Sequence, residues 1–357
     1  MKNNNSLHFD LDVKALHRWF LTNKRDLPWR SHPEPYAVWI SEVMLQQTQV
    51  AVVIPFFERW MKLFPTVHAL SEATLDQVIK AWEGLGYYSR ARHLHEAAHY
   101  MMENFQGRFP SSEIELKKIK GLGPYTIGAI LSFAFHHKMP AVDGNVMRVL
   151  TRYFWIPDDI SQSKTQQFLR KVAAEILPEE DHWVTNEALI ELGATVCKKT
   201  PVCSSCPLRA SCAGYAKGRS AELPYKSLKM KSQKLWRAVP VILCDQKVLV
   251  KRGEKGKVMS DLYEFPFFEV AGQIPLEEVQ RLILDQLSLH VIHQKSLEPV
   301  KHGFTCYQAT LFPEMFRTLA PLEVEGYTWI DIQVLQKLAL SSGHRQIFQK
   351  ILLKPDS

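Results

Sequence analysis

The sequence predicts a mainly α-helical protein followed by a smaller α+β domain. Apolar residues recur at helical spacing over residues 37–63, and the run 125–135 is almost entirely apolar, which is typical of a buried helix. Short β-rich runs follow at 238–244, 247–251, 263–270 and 304–312, with one amphipathic helix at 276–289 between them. The polar, basic residues 217–236 between these regions have the composition of a linker.

Composition and charge indicate the general class of the protein. The 357 residues are 46% hydrophobic and 23% charged, which excludes a disordered or low-complexity chain. Lys and Arg number 44 against 37 Asp and Glu, a net charge of +7 that falls wholly within residues 1–236. This asymmetry favours a polyanionic partner for the first region, and solubility is the alternative explanation.

Membrane insertion and export are not expected from the sequence. No uncharged apolar run reaches the roughly 20 residues of a membrane span. The opening residues MKNNNSLHFD lack the apolar core of a signal peptide. We therefore expect a cytoplasmic protein in a reducing compartment, where disulfides are disfavoured.

Four of the six cysteines form a compact cluster with the spacing C-x5-C-x2-C-x5-C. Its members are Cys197, Cys203, Cys206 and Cys212. Four thiolates can hold a tetrahedral zinc ion or a [4Fe–4S] cluster. Structural zinc sites usually have two separated C-x2-C pairs, whereas this loop has one, so the spacing favours one iron–sulfur cluster.

Residues 115–136 predict a helix, a tight GLG turn and a second helix that begins near Pro124. Gly121 and Gly123 permit positive φ and leave backbone amides uncovered. A glycine-rich turn that leads into a helix N-terminus is a candidate site for a DNA phosphate. The alternative is an ordinary helix–helix turn.

Two carboxylates are distinguished by their surroundings. Glu42 lies in the otherwise uncharged WISEVMLQQTQV, and Asp143 lies at a probable helix start in AVDGNVMRVL. Apolar surroundings keep a carboxyl group protonated near neutral pH, while an Asp beside Gly and Asn is expected to be hydrated and ionised. Such a pair can cleave a glycosidic bond through an oxocarbenium-like state. The alternatives are an N-cap for Asp143 and a partly exposed helix residue for Glu42.

Over nearly its whole length the chain resembles the MutY-type adenine DNA glycosylases of the helix-hairpin-helix, iron–sulfur superfamily. The shared motifs are LPW (27–29), WISEVMLQQTQV (39–50), GLGYYSRAR (84–92), GLGPYT-GAI (121–130), DGNVMRVL (143–150), NEALIELGA (186–194) and the cysteine loop.

The resemblance implies a two-lobed helix-hairpin-helix catalytic region with a [4Fe–4S] loop and a Nudix-like domain that recognises 8-oxoguanine. The implied catalytic region spans residues 1–216. Within it, a six-helix lobe lies at about 30–137 and an iron–sulfur lobe at about 8–29 plus 138–216. A linker at 217–236 and the Nudix-like domain at 237–357 follow.

The resemblance also implies a function and roles for individual residues. The enzyme would flip adenine, mispaired with 8-oxoguanine or guanine, out of double-stranded DNA and hydrolyse its N-glycosidic bond. Glu42 would protonate adenine at N7, and Asp143 would support the C1′ cation. The remaining site residues are Tyr125 and Asn145 around these two, Arg30 and Glu187 near the flipped adenine, Gln47, Thr48, Leu85 and Tyr87 near the partner base, and Phe304 with Thr305 where the family usually carries Phe-Ser-His.

One substitution separates this chain from endonuclease III, a bifunctional relative with a nucleophilic lysine just after the hairpin. This chain has Tyr125 there, so we predict a monofunctional glycosylase that leaves an abasic site. We also expect a monomer, because DNA would occupy much of the basic face. The alternatives are an endonuclease III-like glycosylase for oxidised pyrimidines and a non-catalytic iron–sulfur DNA-binding protein. Tyr125 argues against the first, and the presence of both Glu42 and Asp143 argues against the second.

Overall fold

The computed structural model describes residues 9–227, 232–254, 256–257 and 259–352. The chain divides into two compact units, the first built from residues 1–71 and 96–229 and the second from residues 72–95 and 230–357. Within the described residues, every helix is too short or too polar to cross a membrane.

The first unit is helical, as predicted. Its helices are α1 (Val13–Asn23), α2 (Pro28–Ser31), α3 (Pro35–Leu45), α4 (Val50–Leu63), α5 (Val67–Glu72, whose last residue belongs to the second unit), α8 (Glu113–Leu116), α9 (Pro124–Phe133), α10 (Gly144–Tyr153), α11 (Ser163–Ile176), α12 (His182–Thr195) and α13 (Ala213–Ala216). Short 3-10 turns lie at Cys203–Ser205, Arg209–Ser211 and Ser220–Glu222.

Helices α3 and α9 are buried over most of their length because their sequences are apolar on all sides. Helices α1, α10 and α11 instead bury one apolar stripe each, and with α12 they share a core that includes Phe20, Leu150, Leu169 and Leu189. A Cβ atom on Gly193 of α12 would lie 2.6 Å from Cβ of Asn145. Only glycine therefore allows α12 to approach the start of α10 this closely.

The predicted helix–turn–helix at 115–136 is present as α8, a glycine turn and α9. Gly121 has a φ of +91°, which explains a glycine at that position. Gly123 has a φ of −84°, a value that other residues also adopt. It occupies the N-cap of α9 without a side-chain cap, and Pro124 follows at the first helical position.

The second unit combines helices with a mixed sheet, which confirms the predicted α+β class. Its strands are β1 (Gln233–Cys244), β2 (Lys247–Arg252), β3 (Tyr263–Glu264), β4 (Phe268–Val270), β5 (Ile292–Ser296), β6 (Val300–Phe304), β7 (Tyr307–Arg317) and β8 (Thr328–Asp331). Its helices are α6 (Leu75–Ala81), α14 (Leu276–Leu287), α15 (Ile332–Lys337) and α16 (Ser342–Leu352), and α7 (Ser89–Phe105) has residues in both units.

The long strands β1 and β7 pair in parallel at the centre of the sheet, and the other described pairs are antiparallel. Alternate residues of β1 point to opposite faces. Val239 and Val241 join a core with α15 and α16, whereas Ala238 and Ile242 join a second core with α14. The sheet is therefore covered by helices on both faces.

Several predicted boundaries differ from the structure. The β-rich run 304–312 is not one strand, because β6 ends at Phe304 and β7 begins at Tyr307. The predicted strand at 263–270 is two short strands, β3 and β4. Within the predicted linker, residues 233–236 form the start of β1, and residues 228–231 lie outside the described part of the chain. Residues 72–95 belong to the second unit rather than to the helical region that precedes and follows them.

Candidate active site

Helices α3, α9, α10 and α12 of the first unit line one cavity of about 980 Å³. Most of the predicted site residues meet in it. These are Arg30, Glu42, Gln47, Thr48, Gly121, Gly123, Tyr125, Asp143, Asn145 and Glu187.

Glu42 is buried in α3, with only 7% of its surface exposed, so the alternative of a partly exposed helix residue is wrong. The Tyr125 hydroxyl of α9 donates a 2.5 Å hydrogen bond to Glu42 Oε2. Burial raises the pKa of Glu42 to about 7, the Tyr125 hydrogen bond and Arg30 oppose this rise, and the charges of Asp143 and Glu187 add to it. Burial also raises the pKa of Tyr125 well above its usual value, which keeps its hydroxyl a donor.

Asp143 is the N-cap of α10, and its Oδ1 accepts a 2.8 Å hydrogen bond from the amide of Val146. The capping interpretation is therefore confirmed. Its other oxygen accepts from Nδ2 of Asn145 at 2.6 Å and remains on the cavity wall. The expectation of a well-hydrated Asp143 is wrong. The side chain is half-buried, and burial raises its pKa, although the hydrogen bonds from Val146 and Asn145 and the charge of Arg148 lower it.

Arg30 is held by two acids of α12. Its Nε lies 3.3 Å from Glu187, and its second guanidinium nitrogen lies 2.8 Å from the fully buried Glu191. Glu191 also pairs with Arg25 at 2.6 Å. Neither Glu191 nor Arg25 was predicted from the sequence. The spacing of Glu187 and Glu191 could have identified Glu191, because residues four apart on a helix face the same side.

Arg148 is a third residue that was not predicted from the sequence. Its guanidinium donates to Oδ1 of Asn145 at 2.7 Å, to the carbonyl of Gly193 at 2.8 Å and to the carbonyl of Cys197 at 2.7 Å. One side chain therefore connects the carboxylate network of α10 with the start of the cysteine loop. It lies one turn after Asn145 on α10, where periodicity predicts only a polar helix position.

Leu85 and Tyr87, which were predicted to lie near the partner base, belong to the second unit. Leu85 is only 6% exposed and is one of the buried hydrophobic residues. Tyr87 is 47% exposed and has a φ of +49°. Its ring lies under the guanidinium of Arg90, 5.7 Å from ring centroid to Cζ.

Phe304 and Thr305 are also in the second unit, at the two-residue turn between β6 and β7. Phe304 pairs with Tyr307 across the hairpin, and the two rings lie 5.3 Å apart. Thr305 is exposed with a φ of +48°, an uncommon conformation for a β-branched residue. The turn therefore presents the Thr305 hydroxyl to solvent.

The four clustered cysteines line one small cavity of the first unit, together with Arg152 and Arg209. Arg152 is 2% exposed and donates a 3.3 Å hydrogen bond to Sγ of Cys197. Burial raises the pKa of the Cys206 thiol to about 11, and the charges of the other three cysteines add to the rise. Within the described ranges, however, no group of three or more His, Cys, Asp or Glu side chains is arranged to hold a metal ion. Four convergent thiols with a buried cationic donor nevertheless have the chemistry of a thiolate-bound metal group.

Comparison with known proteins defines the class first. Residues 40–175 match the HhH-GPD superfamily of base excision DNA repair proteins. The chain is also similar to the structure of a thermostable thymine-DNA glycosylase, with a TM-score of 0.52 and 25% identity over 57% of this chain and 95% of that one.

Two curated relatives narrow the assignment. The adenine DNA glycosylase of Buchnera aphidicola from Schizaphis graminum is 30% identical over 340 residues, 93% of this chain and 96% of that protein. The human adenine DNA glycosylase is 44% identical over 208 residues, which cover 56% of this chain and 38% of the human protein. The chain therefore belongs to the adenine DNA glycosylase family.

The raised pKa of Glu42 makes the stability of the protein depend on pH. Because the pKa lies near 7 in the folded protein against a usual 4.5, folded Glu42 binds more protons between these values, and its burial costs more as pH rises. Glu42→Gln should therefore gain stability relative to the wild type between pH 4.5 and pH 8, by about 3 kcal/mol in total.

Thermal or urea unfolding of both proteins at pH 5 and pH 8 measures this difference. Glu58→Gln, on the exposed side of α4, is the matched control and should show no such trend. An equal stability difference at both pH values for Glu42→Gln would contradict the raised pKa.

Proposed function

We propose that this protein excises adenine from duplex DNA in base excision repair, by hydrolysis of the N-glycosidic bond. The observation that carries the proposal is the pairing of Glu42 and Asp143 in one cavity, the first with a pKa near 7 and the second held as a helix cap. A group that titrates near neutral pH can both hold and release a proton under physiological conditions. The membership in the adenine DNA glycosylase family supplies adenine as the base.

The roles of the residues follow from their surroundings. The protonated carboxyl of Glu42 donates its proton to adenine N7, and the electron pair of the C1′–N9 bond leaves with the base. The sugar then carries positive charge at C1′, which the negative charge of Asp143 stabilises. Water adds to C1′ and loses a proton, which leaves an abasic site. Asn145 and the amide of Val146 orient Asp143 for this task, and Tyr125 orients Glu42.

The cavity also supports a monofunctional reaction. Among the described residues that line it there are arginines but no lysine, and Tyr125 occupies the position after the hairpin. Without an amine nucleophile at the sugar, the cavity has no group for a Schiff base. This favours a glycosylase without strand cleavage over an endonuclease III-like enzyme.

The proposed substrate is duplex DNA that contains adenine opposite 8-oxoguanine or guanine, bound by a monomer. The exposed glycine turn before α9 has uncovered amides for a phosphate. The exposed Tyr87 and Thr305 of the second unit are the candidates for contacts around the partner base. A base in a duplex must be flipped out before the two carboxyl groups can reach it.

We also propose that Cys197, Cys203, Cys206 and Cys212 hold one [4Fe–4S] cluster. The support is their shared cavity, their C-x5-C-x2-C-x5-C spacing and the Arg152 donor at Cys197. When bound, such a cluster ties four points of the loop into one rigid element. Arg148 and Arg152 then fix that element to α10 through main-chain carbonyls at residues 197–199.

Single-turnover excision on two duplexes, adenine opposite 8-oxoguanine and adenine opposite guanine, tests the proposed function. Alkali is added to half of each sample, because an abasic site breaks only on that treatment. We expect cleaved product only after alkali. Cleavage without alkali would instead show lyase activity, and activity only on a third duplex that carries an oxidised pyrimidine would favour the endonuclease III-like reaction.

Substitution of each carboxyl group tests its role. Glu42→Gln keeps an acceptor for Tyr125 but cannot donate a carboxyl proton, so excision should slow by about 10²–10⁴-fold while mismatched DNA still binds. The wild-type rate should fall as pH rises above about 7, where Glu42 loses its proton.

Asp143→Asn is the companion variant. Asparagine caps helices about as well as aspartate, so the thermal midpoint should change little while excision is lost. Near-normal excision by either variant would remove that residue from the mechanism, and a large fall in the Asp143→Asn midpoint would show that its role is structural.

Iron analysis tests the cluster. Protein purified without oxygen should carry about four iron and four sulfide per chain and absorb in the visible region. Cys203→Ser should reduce the iron content, whereas Cys244→Ser, a buried cysteine of the second unit, should leave it unchanged. Stoichiometric zinc in place of iron would identify the alternative occupant.

A further inference from the structure

The second unit contains a helical segment, residues 72–95, that is separated in sequence from the rest of the unit by more than 130 residues. Ion pairs attach both ends of this segment to the sheet domain. Asp76 on α6 accepts from Arg252 at 2.7 Å, and Arg92 on α7 donates to the carbonyl of Ser260 at 3.1 Å and to Asp261 at 3.3 Å. The segment therefore belongs structurally to the C-terminal residues.

Glu83 is the centre of this attachment. Its Oε1 accepts from Nε of Arg345 at 2.7 Å and from the amide of Leu340 at 3.0 Å, and its Oε2 accepts from Nζ of Lys80 at 2.7 Å. The side chains of Glu83 and Arg345 are each only 16% exposed. Lys80 also donates to the carbonyls of Gln336 and Leu338. One half-buried carboxylate thus joins the end of α6 to the loop before α16 and to α16 itself.

The residues directly after Glu83 form a turn with an enforced shape. Gly84, Gly86 and Tyr87 all have positive φ. The carbonyl of Gly86 accepts from the Trp82 indole and from Arg90, each at 3.0 Å, and the Tyr88 hydroxyl accepts from the amide of Gly84 at 3.3 Å. With so many internal bonds the turn moves as one piece, and the exposed Tyr87 ring projects from it.

We propose that Glu83 is a positioning residue that fixes the turn 84–88 to the sheet domain, so that Tyr87 and Thr305 approach the DNA as parts of one body. The inference rests on the proposed function, in which both residues face the partner base. Discrimination of the partner base then depends on the Glu83 attachment, whereas proton donation by Glu42 does not. Loss of the Glu83 contacts should reduce the preference for adenine opposite 8-oxoguanine over adenine opposite guanine. It should affect cleavage of the N-glycosidic bond less.

The test uses the full-length protein with Glu83→Gln. The substitution keeps the shape but turns one carboxylate oxygen into an NH₂ group, which cannot accept from Lys80 or Arg345. Hydrogen exchange of the free protein should increase in residues 84–92 and 338–345 and stay unchanged in residues 113–126. The ratio of single-turnover rates on the two duplexes should narrow by about fivefold or more, with an unchanged pH profile.

Glu254→Gln is the matched control, since it removes an exposed ion pair with Lys257 in the same unit and should change neither readout. Arg345→Lys is the second variant in case Glu83→Gln folds poorly, and it should act in the same direction. The proposal is overturned by unchanged exchange in residues 84–92, or by increased exchange with an unchanged rate ratio. Failure of the wild type to release adenine from either duplex would reject the proposed function, while the exchange data would still decide whether Glu83 holds the turn.

Discussion

The site depends on a carboxyl group kept out of water. Glu42 lies among the apolar residues of α3, and its Oε2 accepts a hydrogen bond from Tyr125 of α9. Burial disfavours the charged form of a carboxyl group. The pKa of Glu42 is therefore raised to about 7, and the neutral, protonated form is favoured below that pH. Every helix that shields Glu42 therefore also sets its acidity.

Burial also raises the pKa of the second carboxyl group, Asp143, but direct hydrogen bonds oppose that rise. Asp143 accepts two direct hydrogen bonds at the start of α10, and this position on a helix N-terminus favours negative charge. The same bonds that hold the helix start also hold the carboxylate of Asp143, a residue that lines the cavity. The Asp143 side chain thus contributes both to helix stability and to the proposed reaction. Gly193 makes the arrangement possible, because no Cβ atom separates α12 from Asn145.

Much of this site could be predicted from the sequence because its motifs are local. Each motif can be recognised from about ten neighbouring residues. The motifs are an acid in an apolar helix, an Asp at a helix start and a glycine turn before a proline. Arg148 and Glu191 were missed because their partners come from distant segments, as with Arg25 and Glu191, which are 166 residues apart. The burial of Leu85 could not be predicted, because an apolar residue in a glycine turn is compatible with either a core position or a DNA contact. The left-handed conformation of Thr305 was also hidden, because a β-branched residue predicts strand and not turn.

The interleaved order of the two units has a consequence for synthesis of the chain. Glu83 leaves the ribosome 262 residues before Arg345, which corresponds to about 13–52 s at about 5–20 residues per second. During that interval the helical residues on both sides of segment 72–95 can already pack, while Asp76, Glu83 and Arg92 still lack their partners from the sheet domain. Until α16 emerges, segment 72–95 of the nascent protein therefore lacks its ion pairs with the sheet domain. A chain that stops before α16 never completes them.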